Sequence, residues 1–203
     1  MQHRPVLSTG FALFLMTAGS IRAEAQLCAP DWIGFPVSGP RGPVFALQEH
    51  DDGSGNALFL GGSNLTNGGA VPTYVGVMRW RGAALEPLYP GTTNAMTSFD
   101  FGAGPELFAA GAYPTVPIVP QTIDQVLRWN GATFTPLGSS SPSTTSFQPN
   151  SVYALAAHDD GGGSALYAGG NFQVLGGASC QRIGRWNGSA WTQVGAGLNA
   201  AVN

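Results

Sequence analysis

Residues 152–172 read VYALAAHDDGGGSALYAGGNF, and residues 44–64 read VFALQEHDDGSGNALFLGGSN; the two stretches match without a gap. A weaker copy, MTSFDFGAGPELFAAGAY, lies between them at residues 96–113, and aligned from Met96 it is three residues shorter before Leu107. Self-similarity at a fixed period is typical of a repeat architecture. These three copies therefore predict a protein built from repeats.

A second block of sequence follows each copy. The blocks read VMRWRGAALEPL from Val77, VLRWNGATFTPL from Val126 and IGRWNGSAWTQV from Ile183. The tryptophans in them are separated by 49 and 57 residues and head equivalent turns: Trp80, Trp129 and Trp186. A period of about 50 residues lies in the range of propeller blades.

Each repeat contains four candidate strands, which in the last copy are residues 152–155, 165–168, 182–186 and 191–194. The first two are apolar at every position, which predicts burial on both faces. Asn187-Gly188 and Asn130-Gly131 predict two-residue hairpin turns with positive φ at both residues, and Arg81-Gly82 is a weaker version. Pro87 and Pro136 place the fourth strand at a sheet edge, because proline cannot donate to a central ladder. This pattern predicts an all-β fold of face-to-face sheets, as in a propeller, whereas a sandwich would alternate more cleanly.

The order of apolar strand, Gly-Gly, Arg-Trp-Asn-Gly and aromatic strand resembles kelch-type propeller repeats. The blocks LYAGGNF and RWNGSAW are most similar to the secreted bacterial and fungal cell-surface variety. The resemblance covers about residues 31–203 and implies a propeller fold with a surface or interaction role. It supplies no catalytic residues, and the tyrosine–cysteine pair of copper-oxidase propellers cannot be assembled here.

The repeats define the expected organisation of the chain. Residues 26–203 are predicted to form kelch-like β-propeller repeats, with a lone strand of a preceding blade at about 31–43 and blades at 44–91, 92–149 and 150–201. Val202 stands where the first strand of a fourth copy would begin. About three four-stranded blades are fewer than a closed ring needs, which predicts an incomplete or open propeller. A truncated fragment, an open arc and self-association through open blade edges remain alternatives.

The N-terminus has the layout of a secretory signal peptide at residues 1–25. One positive charge, Arg4, precedes an apolar run of about 14 residues, and Ala23-Glu24-Ala25 supplies small residues at a cleavage site. The run is too short to span a bilayer, so no membrane span is expected. We therefore predict a secreted or cell-surface protein, extracellular or periplasmic. In such a compartment Cys28 and Cys180 either pair as a disulfide or remain two free thiols.

Composition narrows the function classes. The chain has 203 residues, a formal net charge of −3, eight scattered cations that are all arginines, and no lysine. Nucleic-acid binding requires a clustered basic face, so no nucleic-acid partner is expected. With 43% hydrophobic residues and 30 glycines, the chain is predicted to form strands joined by tight turns.

Candidate chemistry concentrates in two stretches, His50-Asp51-Asp52 and His158-Asp159-Asp160. Imidazole and carboxylates can bind metal or transfer protons, but their recurrence at one template position favours a loop role. Residues 52–56 resemble part of a calcium loop without its spaced carboxylates. The arginines preceding the tryptophans either bind an anionic ligand or stack and pair within the repeat: Arg79, Arg128 and Arg185.

Three further features bear on binding. Asn64-Leu65-Thr66 and Asn187-Gly188-Ser189 fit the glycosylation pattern, the second lying in a predicted turn. The insertions at 139–149 and 114–120 are the predicted contact surfaces, because loops carry recognition. We predict no catalytic, cofactor-binding or metal-binding residues, no cofactor, and a non-catalytic exported module that binds an unknown protein or glycan. A carbohydrate-binding lectin or a propeller enzyme is the alternative.

Overall fold

A computed structural model describes residues 39–67, 74–82, 84–116, 119–138 and 151–202, with the backbone alone between 114 and 125. These residues belong to one unit, Gly34–Asn203. The predicted signal peptide, Cys28, most of the predicted lone strand and the insertion at 139–149 lie outside the described residues.

The described residues form strands and no helix, which confirms the all-β prediction. In this part of the chain there is accordingly no helix with the length and apolarity needed to cross a bilayer. In chain order the strands are β1 (Val44–Asp51), β2 (Asn56–Leu65), β3 (Val75–Arg81), β4 (Ala84–Tyr89), β5 (Thr92–Asp100), β6 (Pro105–Val116), β7 (Val119–Trp129), β8 (Phe134–Pro136), β9 (Ser151–Asp159), β10 (Ser164–Asn171), β11 (Val174–Leu175), β12 (Ala178–Ser179), β13 (Ile183–Trp186) and β14 (Trp191–Gln193).

The strands pair into three antiparallel meanders, here termed repeats 1, 2 and 3. Repeat 1 contains β1–β4, repeat 2 contains β5–β8, and repeat 3 contains β9, β10, β13 and β14. A single bridge between Ser63 and Thr92 joins the sheets of repeats 1 and 2, and the hairpin β11–β12 lies between the second and third strands of repeat 3. As predicted, Pro87 and Pro136 lie on β4 and β8, the strands at the two ends of the sheet order.

The three meanders share one register. Each tryptophan of the third strand faces a leucine of the second: Trp80 faces Leu58, Trp129 faces Leu107, and Trp186 faces Leu166. At or within one residue of its start, each first strand pairs with a glycine, in the pairs Val44–Gly62, Thr93–Gly111 and Val152–Gly170, and a register shift follows each pair. The predicted equivalence of the tryptophans is therefore confirmed at the level of backbone pairing.

This register corrects the alignment of the middle copy. The residue equivalent to Val44 and Val152 is Thr93, and the spacing from Thr93 to Leu107 equals that from Val44 to Leu58, so the three-residue gap predicted before Leu107 is wrong. The gap arose because alignment started at the first large apolar residue, Met96. Thr93 is nevertheless fully buried, with its hydroxyl 2.8 Å from the Tyr113 hydroxyl. A hydrogen-bonded threonine thus occupies the valine position of the other copies.

The glycine opposite each first strand is required by a close backbone approach. A Cβ at Gly62, Gly111 or Gly170 would lie 2.0–2.1 Å from a carbonyl oxygen at the start of the adjacent first strand or, for Gly62, of the residue just before it. The preceding position is less restricted, since Ala110 stands there in repeat 2 where the other copies have Gly61 and Gly169. The second glycine of the Gly-Gly pattern is therefore required by the close approach of the first strand.

Apolar side chains from neighbouring repeats form the core. Between repeats 1 and 2 the buried residues include Phe59, Val77, Leu107 and Trp129. Between repeats 2 and 3 they include Phe108, Val126, Val152, Leu166, Cys180, Trp186 and Trp191. The Trp191 indole also donates to the Leu137 carbonyl at 2.9 Å. Each junction thus combines apolar burial with satisfied polar groups.

Burial on both faces holds for most positions of the second strands, although Leu58 and Tyr167 are only partly buried, but not for the first strands. In β9 only Val152 is fully buried, and in β1 Val44 and Leu47 are exposed. The prediction for residues 152–155 was therefore wrong at three of four positions. The reason is that β9 pairs only with β10, so it lies at an edge of its sheet.

The Asn-Gly turns also differ from prediction. Trp129 pairs with Phe134 and Trp186 with Trp191, so each loop has four residues rather than two. The asparagine side chains accept backbone N–H groups, from Ala132 and Thr133 in one turn and from Ser189 and Ala190 in the other. Asparagine therefore stays at negative φ while the following glycine is positive.

Of the insertion at 114–120, the described residues 114–116 and 119–120 are strand rather than loop. β6 and β7 continue their pairing past Tyr113–Ile123 to Val116–Val119, beyond the last residue of β6 that pairs with β5, Ala112. This two-stranded arm, residues 113–123, extends from the end of repeat 2 opposite the β5–β6 turn.

Candidate functional site

Both His-Asp-Asp stretches lie where the first strand turns into the second. Asp51 accepts hydrogen bonds from the backbone N–H groups of Gly53 and Gly55 at 2.9 and 3.0 Å. Asp159 does the same with Gly161 and Gly163 at 2.9 and 3.2 Å. These carboxylates therefore hold the hairpin loop, as the recurrence of the stretch predicted.

A third copy of this loop escaped the sequence analysis. Asp100 accepts from the N–H groups of Gly102 and Gly104 at 2.6 and 2.9 Å, and both glycines have positive φ. The shared signal is Asp-x-Gly-x-Gly, at residues 51–55, 100–104 and 159–163. It was missed because repeat 2 lacks the histidine and the second aspartate that marked the other two.

The second aspartate of repeat 1, Asp52, is the centre of a buried charge cluster. Its carboxylate accepts from Arg79 at 2.8 Å, from Arg81 at 2.6 Å and from the Trp129 indole N–H at 3.4 Å. Ser54 donates both its hydroxyl and its backbone N–H. Only 2% of the Asp52 side chain is exposed. The cluster thus joins the hairpin loop to β3 and to the next repeat.

The surroundings of Asp52 stabilise its charged form. Burial alone would raise the pKa of this carboxyl, but hydrogen bonds from Ser54, Trp129 and Arg81 outweigh that effect and hold the pKa well below its usual range. Because two guanidinium groups already contact the carboxylate, an added cation would meet positive charge. Residues 52–56, which partly resemble a calcium loop, therefore contribute to an internal ion pair instead.

The equivalent aspartate of repeat 3, Asp160, has a related but open setting. It accepts from the Gly162 N–H at 2.9 Å and from the Tyr167 hydroxyl at 2.8 Å, and the Arg185 guanidinium lies 3.7 Å away. The hydrogen bonds from Gly162 and Tyr167 lower the pKa of Asp160. Unlike Asp52, its side chain is 49% exposed.

The two candidate histidines do not meet, since each contacts the aromatic ring of its own second strand. His50 packs edge-on against Phe59, with ring centroids 6.0 Å apart, and its Nδ1 lies 3.2 Å from the Ser98 hydroxyl. His158 lies 5.9 Å from the Tyr167 ring and is exposed. Burial lowers the pKa of His50, against the opposing influence of Asp52 and Asp51.

The three arginines before the tryptophans pair within their own repeats. Arg79 bonds Asp52 and Glu86 and also lies over the Trp129 ring, at 5.8 Å from its centroid. Arg128 pairs with Glu106 at 3.4 Å, and Arg185 contacts Tyr167 and Asp160. The structural interpretation of these arginines is confirmed by these contacts.

Comparison with known proteins gave no relative. No protein-family model, curated protein or solved structure matches the chain.

Metal and thiol chemistry have few candidate groups in the described part of the chain. There, no set of three or more His, Cys, Asp or Glu side chains is arranged to hold a metal ion. Cys180 is a buried free thiol, and burial raises its pKa. Cys28, with which it would either pair as a disulfide or remain a second thiol, lies outside the described residues.

The two predicted glycosylation asparagines are both exposed. Asn64 adopts a positive φ of 52°, while Thr66 of the same triplet is buried and pairs with Arg41 through the backbone. Asn187 accepts from the Ser189 hydroxyl and N–H, so its side chain serves the turn. This arrangement agrees with the turn role predicted for the second triplet.

The lowered pKa of His50 predicts an acid-dependent loss of stability. The unfolded chain takes up a proton near pH 6.5, whereas the folded protein resists it, so the free energy of unfolding falls as pH drops below that value. Phenylalanine occupies the equivalent position of repeat 2, at Phe99. Replacing His50 by phenylalanine therefore removes this pH-dependent contribution to the free energy of unfolding. We expect urea titrations to show less loss between about pH 7.5 and about pH 5.5 in His50→Phe than in the wild type.

The matched control is His158→Phe, which changes the exposed histidine at the same repeat position. It should keep the wild-type dependence on pH. Equal slopes for His50→Phe and the wild type would contradict the assignment.

Proposed function

We propose that the chain is an exported, non-catalytic propeller-type module, built from kelch-like blades, that binds or scaffolds at the cell exterior. Support for the architecture comes from three four-stranded meanders that share a register and bury apolar faces against one another. Stacked four-stranded meanders are the construction of a propeller.

The observation that carries the non-catalytic part of the proposal is the use made of the reactive side chains. Asp51, Asp100 and Asp159 hold hairpin loops, Asp52 binds two arginines and an indole, and the buried histidine packs on an aromatic ring. A catalytic acid, base or nucleophile must instead face a bound substrate. The groups most suited to chemistry thus support the fold.

The arm at residues 113–123 is the proposed contact element. Among the described residues, its two strands pair with each other beyond Ala112 and with no third strand. Projecting segments on a rigid frame are suited to recognition.

The test uses the protein recovered outside the expressing cell, for which the proposal expects Gln26 as the first residue. We expect it to bind selectively on a glycan array or to a cell-surface protein. Replacing residues 115–120 by an Asn-Gly turn should weaken that binding at least about tenfold, because the contact element is shortened while the sheet is retained.

Ala103→Arg is the control, since Ala103 is exposed in the β5–β6 turn at the opposite end of repeat 2. It should leave the affinity unchanged. Retention inside the cell, turnover of a substrate by the purified protein, or unchanged binding by the arm variant would count against the proposal.

A further inference from the structure

The loop between the first and second strands of a repeat contacts the repeat that follows it. The Asp52 carbonyl oxygen of repeat 1 lies 3.6 Å from where a Cβ of Gly131 would be, in the Asn-Gly turn of repeat 2. The Phe101 ring of repeat 2 lies 3.4 Å from where a Cβ of Gly188 would be, in the Asn-Gly turn of repeat 3. Asp52 and Phe101 each follow the aspartate that holds their loop, so they occupy equivalent positions at the two junctions.

The junction between repeats 1 and 2 has ionisable side chains at this loop. The Asp52 carboxylate pairs with two arginines of its own repeat and accepts from the Trp129 indole of the next repeat. Two residues earlier in the chain, His50 places its Nδ1 3.2 Å from the Ser98 hydroxyl on β5. A carboxylate and an imidazole therefore both connect repeat 1 to repeat 2.

The junction between repeats 2 and 3 has phenylalanine at both positions. Phe99 pairs with Glu106 in the register where His50 pairs with Ala57, which makes Phe99 the equivalent of His50. The rings of Phe99 and Phe101 meet edge-on with their centroids 4.6 Å apart, and both pack against the core between repeats 2 and 3. Two groups that change charge with pH in repeat 1 are thus replaced by two apolar rings.

The polar contacts across the second junction also keep their charge in acid. The Trp191 indole donates to the Leu137 carbonyl, and the Asn94 side-chain amide donates to the Val152 carbonyl, each at 2.9 Å. Indole and amide groups do not titrate between neutral and acid pH. Acid therefore leaves these hydrogen bonds unchanged.

Protonation of His50 adds a charge to a crowded cluster at the first junction. The charged groups of this cluster are the two loop carboxylates that act on the imidazole and the side chains that pair with Asp52 or with its partner: Asp51, Asp52, Arg79, Arg81 and Glu86. From β2 and β5 the imidazole meets the uncharged Phe59 ring and Ser98 hydroxyl. Burial lowers the pKa of His50 although Asp51 and Asp52 attract the imidazolium, so the closed junction resists the proton.

We propose that acid selectively opens the junction between repeats 1 and 2 and leaves the junction between repeats 2 and 3 closed. Opening begins as the pH falls below about 6.5, because the open junction takes up a proton on His50 that the closed junction resists. Below about pH 4, protonation of Asp52 in the open state adds to the effect. This response goes beyond the proposed binding role and depends neither on the arm nor on its ligand.

Two buried thiols in one molecule report on the two junctions. Cys180 is fully buried in the core between repeats 2 and 3. Val77→Cys puts a second thiol into the core between repeats 1 and 2, where Val77 is fully buried. The chain also carries Cys28→Ser, so that Cys28 neither reacts nor pairs with Cys180. Dithiodipyridine reacts with exposed thiols in acid as well as at neutral pH, and mass spectrometry of the peptides distinguishes the two sites.

The expected result is a loss of protection at one thiol only. Reaction rates are measured relative to the urea-unfolded chain at the same pH. Between about pH 7.5 and about pH 5, the thiol introduced by Val77→Cys should lose protection about tenfold, whereas Cys180 should change less than about twofold. His50→Phe should remove the loss at the first junction. His158→Phe, which changes the exposed histidine at the same repeat position, is the control and should keep it.

The converse substitution tests whether this position determines the response. Phe99→His places an imidazole among the aromatic rings of the second junction, so Cys180 should then lose protection in acid as well. Circular dichroism at pH 7.5 checks that each variant is folded. Ala109→Cys, on the repeat 2 side of the first core and also fully buried, replaces Val77→Cys if that variant does not fold.

Two outcomes would overturn the inference. Equal loss of protection at both thiols would mean that acid loosens the whole protein rather than one junction. Unchanged protection at both would mean that neither junction opens.

Discussion

Gly170→Ala should cost about 3 kcal/mol or more of unfolding free energy. A Cβ at this position would lie 2.1 Å from the Ser151 carbonyl oxygen and 2.9 Å from the Val152 Cα, both backbone atoms. The clash cannot be relieved by a side-chain rotation, so β9 and β10 must separate at their register shift. Denaturant titration monitored by tryptophan fluorescence measures the loss.

The neighbouring substitution Gly169→Ala is the matched control. The added Cβ meets the Val202 side chain at 3.0 Å, and alanine is the natural residue at the equivalent position, Ala110. We expect a cost of less than about 1 kcal/mol, because the Val202 side chain lies at the surface and can shift. Similar losses for Gly169→Ala and Gly170→Ala would show that the carbonyl approach does not set the requirement for glycine.

Asp52→Asn should destabilise the protein by about 3 kcal/mol, because it removes the carboxylate that pairs with both Arg79 and Arg81. Among the described contacts, Arg79 keeps its ion pair with Glu86, whereas Arg81 has no second carboxylate. Arg81 is affected most, since its Nε is already buried without a hydrogen-bond partner. The loss of a buried partner leaves an uncompensated charge, which costs more than the pair contributes. Chemical denaturation near neutral pH measures the difference.

The pH dependence of this difference has a defined sign. Since the folded pKa of Asp52 lies below its unfolded value, the stabilisation is fully present above about pH 4 and is lost as the pH falls further. The gap between the wild type and Asp52→Asn should therefore narrow below about pH 4. A gap that stayed constant into strong acid would contradict the charged role of Asp52.

Asp160→Asn, at the equivalent position of repeat 3, provides the comparison. Because its carboxylate is half exposed and pairs with a single arginine, we expect a much smaller loss of stability than for Asp52→Asn. A loss as large as that of Asp52→Asn would mean that burial does not separate the two sites.

Much of the fold was predictable because short stretches of neighbouring residues specify the strands and turns of each repeat. Four-residue apolar runs, turn glycines and recurring tryptophans predicted strands and their order, and Pro87 and Pro136 marked strands at the ends of the sheet order. The hairpin loops were predictable as well, since Asp51 and the glycine N–H groups that donate to it lie within four residues of one another. The start of repeat 2 was misread because Thr93 is buried through a hydrogen bond to Tyr113, which hydrophobicity does not reveal.

The candidate site was harder to predict because its contacts join distant residues. Asp52 and Asp160 have nearly identical neighbours in sequence, yet one is buried and the other is half exposed. What separates them is Trp129, which lies 77 residues from Asp52 along the chain. No pattern among neighbouring residues indicates a contact between two residues so far apart along the chain.

The amino-acid sequence by itself therefore determined the period, the strands and the loops, since these depend on neighbouring residues and on turn chemistry. The packing of one repeat on the next determined which copies of the same motif are buried, charged or open, because burial and ion pairing depend on what covers a side chain.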